Sequence, residues 1–181
     1  MKMEILAITG SVRDKSYNTA LLQSAVQLAP AAMHVSIYQR IDTLPIFNPD
    51  LNATSVPAAV GQFRERLSQA DGIMISTPEY AHGVPGGLKN ALDWVVDSGE
   101  LVLKPVLVSS VSTSGLGGMR SHSALVMILT AMNANVVIDA GLQLPYAKNR
   151  FNAERGLSDE ITIQAMKLSL LALERAVSES Q

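Results

Sequence analysis

A chain of 181 residues, 48% hydrophobic and 17% charged, is long enough to bury one substantial core and short for two, so a single domain over residues 1–181 is expected. Its net charge of −2 lacks the basic field that draws a protein to nucleic acid. Having no cysteine, it has no disulfides, thiolate nucleophiles, thiolate metal sites or iron–sulfur clusters, and any redox chemistry must come from a cofactor.

The first apolar run, Ile5 to Ile8, reads as a strand; it is too short and too close to Glu4 for a signal-peptide core or a membrane span. A soluble cytoplasmic protein is the expectation. The run breaks into the polar segment Gly10 to Thr19, and a helix is predicted from Tyr17 to Leu28 with Leu21, Leu22, Ala25, Val26 and Leu28 as its apolar stripe. Such a strand–loop–helix unit aims backbone N–H groups and the positive end of a helix at the carboxyl edge of the sheet, where they can hold an anion. Ser11, Ser16 and Thr19 add hydroxyl donors, Asn18 an amide and Arg13 a fixed charge. Neither G-x-x-x-x-G-K-[ST] nor G-x-G-x-x-G is present, which suits one terminal mononucleotide phosphate better than a polyphosphate. The plain alternative is an ordinary polar loop with a helix cap.

A second strand is predicted at Met33 to Tyr38, followed by an ordered surface loop from Leu44 to Pro57. A second helix begins after Ser55, with Pro57 in its first turn and Phe63 and Leu67 inward. The third strand, Gly72 to Ser76, runs into a stiff loop with two prolines and three glycines, and Pro85 opens a third helix carrying Leu88, Ala91, Leu92, Trp94 and Val95. A fourth strand, Val106 to Val111, leads through a hydroxyl- and glycine-rich loop to a helix over Arg120 to Met132. The fifth strand is placed at Val136 to Ile138, and the last helix from Ser158, with Asp159 and Glu160 in its first turn. Strands alternating with helices imply an α/β, flavodoxin-like three-layer fold: a five-stranded parallel sheet of order 2-1-3-4-5 with helices on both faces. A ligand then sits where strands 1 and 3 diverge. His34, His82 and His122 have no metal-ligand spacing, and no metal site is expected.

Two motifs go further. Gly10, Ser11, Arg13, Ser16 and Asn18 match G-S-x-R-x-x-S-x-N, and residues 78–94 match P-E-Y-x-x-x-x-P-G-x-L-K-N-A-x-D-W. In this order they resemble the NADPH-dependent FMN reductases, including the bacterial quinone and chromate reductases, over nearly the whole chain. The resemblance implies an enzyme in which FMN carries the chemistry, NADPH or NADH is the donor, and no side chain is catalytic. It implies that Ser11, Arg13, Ser16, Tyr17, Asn18 and Thr19 surround the phosphate. Pro78, Glu79, Tyr80, His82 and Gly83 would border the flavin ring, largely through backbone groups, and Ser112, Ser114 and Gly115 would close the remaining side. One departure is Ala81, where many relatives carry Asn.

The expected acceptor is a small molecule, a quinone or a chromate, azo or ferric compound; free FMN as the substrate itself is the alternative. Relatives form homodimers or homotetramers; the apolar third helix with Trp94 is a candidate contact, and Trp94 itself is read as core or interface rather than as part of a cofactor site. Lys89, Asn90 and Asp93 are read as packing or contact residues, and Arg120 as solvated unless it meets a nucleotide phosphate. An electron-carrying flavodoxin is disfavoured by the weak net charge and by an aromatic content of only 4%.

Overall fold

The computed structural model describes residues 2–180, apart from the side chains of residues 52–54. Its strands are β1 (Met3–Thr9), β2 (Met33–Tyr38), β3 (Gly72–Thr77), β4 (Pro105–Val111), β5 (Asn135–Val136) and β6 (Leu142–Leu144). Its helices are α1 (Tyr17–Leu28), α2 (Pro49–Thr54), α3 (Ala58–Gln69), α4 (Gly86–Asp93), α5 (Met119–Ala131) and α6 (Glu160–Ser180). All strand pairs are parallel, in the order β2-β1-β3-β4-β5, with β6 also on β4. This is the expected order.

Side-chain alternation along the strands divides the interior in two. Leu6, Ile8, Ile73, Ile75, Val106 and Val108 face one layer, where they pack with Phe63 of α3, Leu88 and Leu92 of α4, and Leu125 and Leu129 of α5. Ile5, Ala7, Met74 and Leu107 face the other, against Leu21 and Ala25 of α1 and Met166, Leu170 and Leu173 of α6. Each such large side chain, fully buried, contributes about 1.5–3 kcal/mol from its removal from water.

The edge of the sheet departs from the sequence reading. In place of one strand at Val136 to Ile138, two short strands run along β4, with Asn135 opposite Pro105 and Leu142 opposite Ser109. The edge therefore spends three more residues than β4 over the same span, and the excess is the 3-10 turn Ile138–Ala140. The segment from Leu44 to Pro57 is an ordered connection as expected but contains α2, started by the Asn48 cap (Oδ1 to the Asp50 N–H, 3.0 Å) and Pro49. Helix α6 starts later than expected: Asp159 is its cap, accepting the Thr162 N–H at 3.0 Å and the Arg150 guanidinium at 2.7 Å.

Of the two readings of Trp94, core and interface, the structure selects the core. It is fully buried within its own chain, its indole N–H donates to the Pro45 carbonyl at 2.7 Å, and its ring meets Phe47 edge-on. Asn90 holds the same segment through the Phe47 N–H (2.8 Å) and the Pro45 carbonyl (2.9 Å). Trp94 therefore anchors the Pro45–Phe47 segment and cannot be a contact between subunits.

Candidate functional site

The loops after β1, β3 and β4 converge at the carboxyl edge on a cleft of about 390 Å³. Ser11, Arg13, Lys15, Ser16 and Tyr17 line one end, Pro78, Glu79 and Tyr80 border the cleft from the β3 loop, and Val111, Ser112 and Thr113 from the β4 loop. Gly10 allows the convergence. A Cβ there would stand 2.9 Å from the Leu88 side chain and 3.2 Å from the Ser76 carbonyl, to which the Gly10 N–H donates at 2.8 Å.

At the head of α1, the Ser16 hydroxyl accepts the N–H groups of Asn18 (3.2 Å) and Thr19 (3.5 Å). That cap leaves the Ser16 O–H proton free to donate. The N–H groups of Ser16 and Tyr17 donate to no other described residue. Together with the positive end of α1 they form a ready anion cradle. The buried Ser11 hydroxyl lies beside it.

Asn18 is used differently from the expectation. Its amide oxygen accepts Ser76 Oγ–H (2.9 Å) and the Val111 N–H (3.1 Å), and its amide N–H donates to the Val111 carbonyl (3.2 Å). The side chain ties α1 to β3 and β4 and so holds the cleft's floor together. Thr19 turns away, pairing with Thr9 Oγ1 at 2.9 Å and facing an adjoining hollow shared with Ser11 and Arg13.

The β3 loop is a tight turn. Tyr80 and Gly83 exchange backbone hydrogen bonds of 3.2 and 3.0 Å, and both central residues, Ala81 (φ 48°) and His82 (φ 62°), are left-handed. Pro78's carbonyl accepts the Thr77 and Ser121 hydroxyls, each at 2.9 Å. With the Tyr80 groups also engaged, Glu79 keeps its backbone N–H and C=O without a partner among the described residues. Of the backbone groups expected to read a ring edge here, those of Glu79 are the free pair.

The Glu79 carboxylate caps α5, accepting the N–H groups of Arg120 (2.9 Å) and Ser121 (3.3 Å) where Gly118 supplies no side chain. Its other oxygen lies 3.3 Å from His82 Nδ1, and the Arg120 guanidinium lies 3.0 Å from the same nitrogen. Burial pushes the Glu79 carboxyl up, but the hydrogen bonds from His82 and from the Ser121 and Arg120 N–H groups outweigh it and hold it below its ordinary range. Arg120 is thus engaged rather than merely solvated.

The structure therefore brings Ser11, Arg13, Ser16, Tyr17, Asn18, Pro78, Glu79, Tyr80 and Ser112 to one cleft, and leaves Thr19, His82, Gly83, Ser114 and Gly115 outside its lining. Ser114 closes a local turn with Ser112 (Oγ–Oγ 2.9 Å), and Gly115 makes room for Tyr146, whose hydroxyl would stand 2.7 Å from a Cβ. Sequence reasoning missed Lys15, Val111, Thr113, Lys148 and Arg155. Lys15 was inside the first motif; the last two come from the segment after β6 and carry no motif.

A mononucleotide flavin fits these groups. The unpaired donors and cations at one end match a phosphate monoester, and the stiff Pro78–Tyr80 edge with its free Glu79 backbone pair matches a flat heterocycle with a polar rim. A doubly wound parallel sheet with such a cleft at the β1/β3 switch defines an α/β nucleotide-cofactor protein of flavodoxin-like architecture. Residues 3–148 match the family described as NADPH-dependent FMN reductase, and the chain belongs to that family. It is 32% identical over 174 residues to an NAD(P)H-dependent FMN reductase of Pseudomonas aeruginosa, covering 95% of this chain and 94% of that one. It is 37% identical over 139 residues to a quinone reductase of Escherichia coli, covering 75% and 74%. Among solved structures, the flavoenzyme NAD(P)H:(acceptor) oxidoreductase FerB of Paracoccus denitrificans superposes with a TM-score of 0.89 at 23% identity, covering 98% of both chains. No helix among the described residues is long and apolar enough to cross a membrane.

Proposed function

We propose that the protein holds FMN in this cleft and passes electrons from NAD(P)H to a small-molecule acceptor, a quinone, in two half-reactions at one open face. The observation that carries this reading is the cleft itself: an anion cradle and a flat-ring edge joined in one cavity. The flavin, when bound, supplies reversible hydride and electron transfer. Ser11, Ser16, Arg13 and the free N–H groups at the head of α1 would hold the phosphate. Pro78, Glu79 and Tyr80 would orient the ring, with Glu79's free backbone pair at its polar edge and Tyr80, half exposed, at the opening.

Support for a quinone acceptor comes from the relatives that carry the name quinone reductase. Donor and acceptor would use the same opening in turn, which predicts ping-pong kinetics. Initial rates measured against NADPH at several benzoquinone concentrations should give parallel double-reciprocal lines; intersecting lines would contradict alternating use of one face.

A homo-oligomer belongs to the same reading. With Trp94 withdrawn into the core, the surfaces left for contact are those bearing exposed apolar side chains, such as Met127, Ile138, Leu168 and Leu171. Sedimentation at micromolar concentration should return at least twice the 19.3 kDa chain mass. A mass of one chain would refute it.

A further inference from the structure

The cleft's positive charge exceeds what the first motif supplies. Four cationic side chains line it, Arg13 and Lys15 from the β1–α1 loop and Lys148 and Arg155 from the segment between β6 and α6, in a protein whose net charge is −2. None of the four is paired with a carboxylate among the described residues, and the one acidic lining residue, Glu79, is committed to α5, His82 and Arg120. Unpaired cations gathered in one concavity repel each other, and an anion bound there relieves that cost.

Arg155 is placed by a built support. Its guanidinium carbon lies 4.0 Å above the centre of the Tyr17 ring, and Tyr17 packs on the buried Phe151 with ring centres 5.2 Å apart. The loop is closed by the Phe151–Leu157 bridge, by Asn152 N–H to the Gly156 carbonyl (2.9 Å), and by Gly156 N–H to Asn152 Oδ1 (2.8 Å). Arg155 itself sits at φ 67°, a region that favours Gly or Asn over a long side chain. A guanidinium resting on a ring keeps its N–H edge available for an anion. Tyr17 is the first residue of α1, next to the Ser16 cradle, so this support sets Arg155 at the phosphate end. Lys148 is held nearby, since the Ala147 N–H donates to the Ser112 carbonyl at 3.0 Å.

We propose that Arg155 and Lys148 are phosphate-specificity residues: a second pair of cations that engages the flavin's phosphate and makes the protein prefer FMN to riboflavin, with Tyr17 as the positioning residue for Arg155. This rests on the flavin reading of the cleft.

The test is a fluorescence-quenching titration of flavin-free protein with FMN and, separately, riboflavin, at low and high salt. It compares wild type with Arg155→Gln, Lys148→Gln and the charge-retaining Arg155→Lys, each with its thermal unfolding recorded. Removing one charged hydrogen-bonding partner should weaken FMN binding about tenfold and riboflavin binding less than about twofold. The FMN salt dependence should flatten in the Gln variants, and Arg155→Lys should recover part of the loss. Unchanged FMN binding, or equal losses for FMN and riboflavin, would overturn the proposal, as would a raised KM for NADPH with FMN binding intact. If wild type binds neither flavin, the flavin reading itself falls and takes this inference with it.

Discussion

Asn18 shows how a residue in a ligand-binding motif can serve the fold first. Its side chain takes two hydrogen bonds from, and gives one to, buried groups of β3 and β4. Asn18→Ala strands the Val111 N–H, the Val111 carbonyl and the Ser76 hydroxyl, and unsatisfied buried groups cost about 1–3 kcal/mol each. We expect Asn18→Ala to lower unfolding stability by about 3 kcal/mol in a denaturant titration, with Ser11→Ala changing it by less than about 1 kcal/mol. Equal losses for the two would show that Asn18 carries no such network. The residue type was legible in the motif, but its role was not, because an amide that reads a phosphate and one that ties two strands look alike in sequence. Glu79 gives the same lesson: a loop carboxylate 39 positions before Gly118 is its helix cap only once β3 and β4 lie side by side.

Among the elements, those with long periodic runs were read correctly and those set by tertiary register were not. Helix α1 and strand β2 fall on their expected residues because the apolar stripe of α1 ends at Pro30 and β2 lies between turn residues. The edge strand is divided because its pairing is dictated by β4, and neither Asn135–Val136 nor Leu142–Leu144 is long enough to announce itself. The β3 turn carries its own consequence. With Ala81 and His82 both left-handed, the chain uses two residues whose Cβ atoms disfavour that conformation, by roughly 1–2 kcal/mol for each. Ala81→Gly should therefore raise stability by about 1 kcal/mol, seen as a higher thermal midpoint, while leaving the Glu79 cap in place. A lowered midpoint would mean that the turn is not held in this form.

For the whole molecule, sheet order, layer assignment and the meeting of three loops follow from the alternation of strands and helices, and the cleft lies where that topology puts it. What topology alone did not reveal is the fourth contributor. Lys148 and Arg155 reach the cleft from a segment more than a hundred residues beyond the phosphate loop, brought there by β6 pairing with β4 and by Phe151 packing on Tyr17. The cleft is thus assembled from both ends of the chain, and its charge is a property of the folded molecule rather than of one motif. Retention of FMN in this assembled cleft, and its use to move electrons from NAD(P)H to a quinone, can be observed in one experiment. The most direct measurement is the visible spectrum of protein mixed with FMN, gel-filtered, then treated anaerobically with NADPH and afterwards with benzoquinone. The expected result is a flavin band that stays with the protein, bleaches with NADPH and returns with the quinone. A band lost on filtration, or one that NADPH does not bleach, would contradict it.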